Sequence, residues 1–177
     1  HATGYPICVE FGAGPDHGRY QPLGRKRPHL ADDGVMLETK SDMVWLPSYD
    51  AEFGARVKKL VKEFGYPKGP VNALMLWNEP WAGISISGWG ADDLRYREIY
   101  TVMCEAAEEA MAEDPSIRVL LGGADSSSNT FDKLFGDGKM TFLKWMDFMS
   151  LHYQSLEPSN PRFLRDRVHK NGRTRFW

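Results

Sequence analysis

Val71-Asn72-Ala73-Leu74-Met75-Leu76-Trp77-Asn78-Glu79-Pro80-Trp81 holds an apolar run, broken only at Asn72, that stops abruptly at an amide and a carboxyl. A run of this kind reads as a strand buried on both faces, which is what a parallel sheet covered by helices requires. Pro80 ends the ladder and pushes the residue before it away from helical dihedrals, so the spacing predicts Glu79 at the strand's carboxyl end. In parallel α/β architectures that end of the sheet carries the chemistry. A carboxyl there, between Trp77 and Trp81, is set up for partial desolvation and a bias toward its protonated form, which suits a general acid.

The flanking segments agree with this reading. Before the strand, Asp50 is a candidate N-cap, and Phe53, Val57, Leu60, Val61 and Phe64 follow at the spacing of one apolar helix face, with Gly65 and Pro67 as the stop. After it comes a loop rich in Gly, Ser and Trp. Trp81 on this loop offers flat apolar area with a polar edge for stacking, and Trp89 either does the same or packs the loop. Asp92 and Asp93 open a second helix whose buried stripe is Tyr96, Ile99, Met103, Ala106, Ala107 and Ala110, and Asp114-Pro115 closes it. Residues 117–121 read as the next buried strand, closing on Gly122-Gly123-Ala124-Asp125, where Asp125 is a substrate contact or a turn and cap residue. Residues 141–146 read as a helix end, 147–153 as a strand ending in His152-Tyr153, 161–170 as a short helix and 173–177 as the start of another strand.

The amino-terminal part is less regular. Residues 5–11 read as a short strand, and Glu10 near its end is a second catalytic carboxylate candidate or a strand-end residue that binds backbone or a ligand hydroxyl. Residues 12–49 read as a long loop or insertion, with 43–46 packing it back. His17, His29, Asp32 and Asp33 fit no common metal-ligand spacing, and Arg25-Lys26-Arg27 is too short for a nucleic-acid face. Cys8 and Cys104 form neither a disulfide framework nor a metal motif, so both are expected as buried thiols.

Trp77-Asn78-Glu79-Pro80 after a buried strand resembles the fourth-strand motif of the large clan of (β/α)8-barrel retaining glycoside hydrolases. The resemblance implies that Glu79 is the acid/base and that Asn78 hydrogen-bonds the sugar's 2-hydroxyl. It also implies that His152 and Tyr153, at a sixth strand end, contact the sugar or orient the nucleophile. The chemistry has its own logic: the departing aglycone needs a proton, and an oxocarbenium-like transition state gains from hydrogen bonds at the 2-position. Trp-Asn-Glu-Pro, Gly122-Gly123 and Asp-Phe-Met-Ser-Leu-His-Tyr are most similar to the β-xylosidase and α-iduronidase family. Gly-Gly-Ala-Asp departs from that family's usual Gly-Gly-Pro, which bears on the substrate more than on the chemistry.

The expected fold is therefore a partial (β/α)8 barrel, about its third to seventh strands, as one incomplete catalytic domain over residues 1–177. A closed barrel takes eight strands and typically ~250 residues. In the resembled clan the seventh strand delivers the nucleophilic Glu, and no residue of this sequence is assigned that role, so the chain reads as a piece of a larger enzyme, itself inactive. An opposing expectation is a small, complete α/β domain in which Glu79 is structural.

Composition bounds the partners. The 177 residues are 42% hydrophobic with a formal net charge of −2, which argues for a packed core and gives no reason to expect nucleic acid or an anionic membrane surface. No apolar run approaches the ~20 residues that span a bilayer, and no signal-peptide pattern opens the sequence. The partner expected is an oligo- or polysaccharide or other glycoside, with no metal and no organic cofactor. A secreted or periplasmic location follows from the family resemblance alone. The alternative function is a non-catalytic carbohydrate-binding protein with a degenerate glycosidase site.

Overall fold

A strand that is apolar on both faces must be covered on both, and its carboxyl end must return to the amino end of a parallel neighbour through a crossover. The computed structural model of the chain describes residues 5–11, 20–21, 44–45, 50–77, 93–124, 141–150 and 175–176. Its elements in chain order are β1 (Ile7–Phe11), β2 (Tyr20–Gln21), β3 (Val44–Trp45), α1 (Asp50–Phe64), β4 (Val71–Leu76), α2 (Asp93–Glu113), β5 (Leu120–Ala124), a 3-10 turn (Thr141–Lys144), β6 (Phe148–Ser150) and β7 (Arg175–Phe176). Strands β1-β4-β5-β6-β7 form one sheet in that order, every neighbouring pair parallel. The short β2 and β3 pair antiparallel in a separate two-stranded sheet, inside the stretch expected to be loop.

Helices α1 and α2 lie side by side and pack on the same face of the sheet. Val57 and Val61 of α1 share a core with Tyr96, Ile99, Tyr100, Met103, Cys104, Ala107 and Ala110 of α2, and with Leu74, Leu76 and Leu121 of the strands. Ala73, Met75 and Phe148 form a second buried cluster on the opposite face. The register between β1 and β4 slips once: Ile7 pairs with Val71 but Cys8 with Ala73, so Asn72 is an extra residue. Such a bulge resets the alternation, which is why Val71 and Leu74 both reach the helix side. On the face away from the helices, Cys8, Ala73 and Leu120 share one row, and Glu10, Met75, Gly122 and Phe148 the next.

Gly122 is there for a close approach. A Cβ on it would come within 3.0 Å of the Phe148 ring, and Phe148 is 2% exposed. Gly65, just past α1, serves a similar end, since a Cβ there would press on Ile117 and the Val61 carbonyl. The Tyr66–Pro67 peptide is cis. Across the outer surface Glu113 of α2 meets Lys58 at 2.6 Å and Lys62 at 2.8 Å, and Glu109 meets Lys58 at 3.2 Å. These pairs hold Glu113's carboxyl down to about 2.

Several details differ from the sequence reading. Phe64 is 47% exposed, although it is the last residue on the same side of α1 as the buried Val57 and Val61. The fifth strand starts at Leu120, not at residue 117. Ile117 and Val119 are buried in the helix-side core before the ladder begins, with Arg118 N–H donating to the Tyr66 carbonyl at 2.7 Å. Cys8 is exposed while Cys104 is buried. Its strand is an edge of the described sheet, paired only with β4, so half the cover a central strand enjoys is lacking there.

Candidate functional site

The parallel strands place all their carboxyl ends on one side of the sheet, and β4 ends there in Leu76 and Trp77, 0% and 2% exposed. Trp77 adopts φ 63°. For a bulky side chain a left-handed backbone is rare and costs about 1–3 kcal/mol, persisting only where surrounding structure over-determines it. Three features do so. Its N–H donates to the Phe11 carbonyl, the last of β1, at 2.7 Å. Its indole sits in the helix-side core. The hydroxyl of Tyr96, fully buried on α2, donates to the Leu76 carbonyl at 2.8 Å.

Behind this turn lies an aromatic stack. Tyr96 and Tyr100 lie one turn apart with ring centroids at 6.2 Å and planes at 19°. Phe142 and Trp145 meet Tyr100 edge-on at 6.2 and 6.5 Å. Burial pushes the Tyr100 phenol and the Cys104 thiol well above their ordinary values, so both stay neutral and belong to the packing. Asp147 clips β5 to the start of β6: its carboxylate accepts the Leu121 N–H at 3.0 Å and its own N–H donates to the Leu121 carbonyl at 2.8 Å.

Glu10 is exposed on β1, in register with Met75 of β4, on the face away from the helices. Partial burial, then the nearby Glu10 charge, raises the Cys8 thiol. Among the described residues no three His, Cys, Asp or Glu side chains converge as a metal site requires, and no helix is long and apolar enough to cross a membrane.

Asn78, Glu79, Trp81, His152 and Tyr153 lie outside the described residues, as do His17, His29, Asp32, Asp33, Trp89, Asp125 and the expected helix at 161–170. The structure does bring together the strands these residues follow in the chain. Trp77, at the end of β4, is followed directly by Asn78-Glu79, and Ser150, the last residue of β6, precedes His152 by two. Only β5 separates β4 from β6, which sets those two strands about 10 Å apart at ordinary spacing.

Sequence reasoning missed two features of this strand end, the left-handed Trp77 and the Tyr96 hydroxyl bond. The second had a signal: Tyr96 falls in an apolar stripe where Phe would fill the same space, and a buried phenol needs a partner. Protein-family models, curated proteins and solved structures were all compared with the chain, and none matches.

Proposed function

We propose that this chain carries the acid/base half of a retaining glycoside hydrolase site, built on a partial (β/α)8 barrel of about the third to seventh strands. The observation that carries the reading is the strained Trp77 turn, held at the carboxyl end of a buried parallel strand and followed directly by Asn78-Glu79. Stored backbone strain concentrates at functional sites, where it aims a group that an unstrained chain would not. Support for the barrel comes from the sheet order, which follows the chain without reversal while both described helices pack on one face. A doubly wound sheet reverses its order and splits its helices between two faces. A barrel wall does neither.

In this mechanism Glu79 protonates the glycosidic oxygen as the aglycone departs, then takes a proton from the water that resolves the glycosyl-enzyme. Asn78 holds the 2-hydroxyl, His152 and Tyr153 position the sugar or the nucleophile, and Trp81 shapes a neighbouring subsite. The nucleophile is a second carboxylate about 5–5.5 Å from the first, supplied by a residue not assigned within 1–177. This double displacement calls for two carboxyl groups and does not of itself imply a metal or an organic cofactor.

Glu79→Gln in the gene product that contains this chain tests the assignment. Turnover of glycosides with poor leaving groups should fall by roughly 100-fold or more, the usual scale of general acid catalysis. Cleavage of a dinitrophenyl glycoside, whose leaving group needs no proton, should keep a nearly normal glycosylation step. Unchanged turnover of both substrates would sink the proposal. Sugar binding without turnover in the parent protein would favour the carbohydrate-binding alternative.

A further inference from the structure

We propose that Tyr96 is a positioning residue for this site, fixing through its hydrogen bond to the Leu76 carbonyl the direction in which the chain leaves β4 toward Asn78 and Glu79. The inference rests on the acid/base reading of Glu79 and names a residue that this reading does not include.

The geometry is specific. The described register between β4 and β5 ends at Met75 with Gly122, whereas β5 runs on beside β6 through Gly123 and Ala124. One residue past the last β4–β5 pair, the Leu76 carbonyl accepts the Tyr96 hydroxyl at 2.8 Å. At the next residue the backbone turns left-handed, with the Trp77 N–H bound to β1 at 2.7 Å. The exit of the strand is thus gripped from the helix layer at Leu76 and from the neighbouring strand at Trp77. Tyr96 and Leu76 are both 0% exposed, so water does not compete for the bond. A phenylalanine would pack the same ring against the same core and leave that carbonyl without its phenol donor.

Such a grip matters more to proton delivery than to substrate binding. Misplacement of a catalytic group by about 1 Å costs on the order of 100-fold in rate, and the loss should appear in glycosylation where the leaving group needs a proton and in deglycosylation for every substrate, where Glu79 takes a proton from water.

The test pairs Tyr96→Phe with Tyr100→Phe, which removes the next phenol on the same helix and leaves the Tyr96 hydroxyl on the Leu76 carbonyl, and with Glu79→Gln as the reference. Tyr96→Phe should lower kcat/KM, which reports the glycosylation step, roughly ten- to 100-fold for a poor-leaving-group glycoside and by far less for a dinitrophenyl glycoside, whose kcat falls only through the deglycosylation step. Tyr100→Phe should affect the two substrates alike. Independently of activity, Tyr96→Phe should speed hydrogen exchange of the Trp77 amide about tenfold relative to the Leu121 amide, the scale of one lost buried hydrogen bond. Equal losses of kcat/KM on both substrates, or Trp77 exchange that merely tracks Leu121, would mean that Tyr96 only supports folding and would overturn the proposal. If Glu79→Gln itself leaves turnover intact, the acid/base reading fails first and the proposal falls with it. That outcome is distinct from a Tyr96→Phe failure beside a normal Glu79→Gln result.

Discussion

Replacing Gly122 by alanine should destabilise the protein through a single contact. The added Cβ would lie within 3.0 Å of three atoms at the tip of the Phe148 ring, well inside the ~3.5–4.0 Å at which carbon atoms pack favourably. The ring has little room to yield, since Phe148 is 2% exposed and clustered with Ala73 and Met75. Overpacking a site of this kind costs about 1–3 kcal/mol. At roughly 2–4 °C per kcal/mol for a chain of this size, Tm should drop by about 2–12 °C. Urea denaturation followed by tryptophan fluorescence should show a lower midpoint at unchanged slope. Phe148→Leu carries its own packing cost but removes the tip of the ring, so the double variant should be more stable than the sum of the two single losses, by about 0.5–3 kcal/mol of coupling. A Gly122→Ala loss below about 0.5 kcal/mol, or strict additivity in the cycle, would refute this account of the glycine.

Two further outcomes check other parts of the structure. Because Lys58 and Lys62 depress the Glu113 carboxyl from 4.5 to about 2, its contribution to stability is complete above pH 4.5 and fades as the pH falls toward 2. Glu113→Gln should flatten the acid limb of a denaturation-midpoint profile in that window, with a smaller difference at high salt because the pairs are partly exposed. Cys8 is exposed and Cys104 buried, so mass spectrometry after iodoacetamide treatment of the native protein should find one alkylated thiol, slow to react because its thiolate is disfavoured. Alkylation of the second should require denaturant; rapid native modification of both would contradict the packing of α2.

What was legible in the sequence was periodicity backed by long-range burial. Leu74 and Leu76 declared a covered strand, and the stripe from Tyr96 to Ala110 declared one face of α2, because continuous apolar character and a helical repeat each leave few alternatives. Tyr100 and Cys104 were not in that stripe, yet both are fully buried. The buried face of α2 is wider than one line, since the helix is covered by β4, by α1 and by Phe142 and Trp145 together. Local cues failed where tertiary contacts decided. Ile117 and Val119 look like strand residues but are buried against the helices ahead of the ladder. The Gly122-Gly123 pair looks like a turn but lies inside β5, because the Phe148 ring occupies the space of a side chain. The candidate site was legible as a motif, Trp-Asn-Glu-Pro, and not as geometry. A left-handed tryptophan and a phenol that reaches the Leu76 carbonyl depend on contacts between β4, β1 and α2 that no local pattern encodes.

That strand end also explains why position 77 is a tryptophan at all. Glycine would adopt φ 63° without the strain of about 1–3 kcal/mol that a bulky residue bears. Against that strain stands the burial of a large ring, whose truncation in a core costs about 3–5 kcal/mol; the backbone bond to Phe11 is open to either residue. The balance favours tryptophan by a small margin in stability and by a large one in definition. A glycine there would lose the buried indole that fixes the backbone at the end of β4. On the acid/base reading proposed for Glu79, definition of that strand end counts for more than the stability, because a general acid must deliver its proton along one line to one oxygen. The residue that strains the turn is thus also the residue that anchors it.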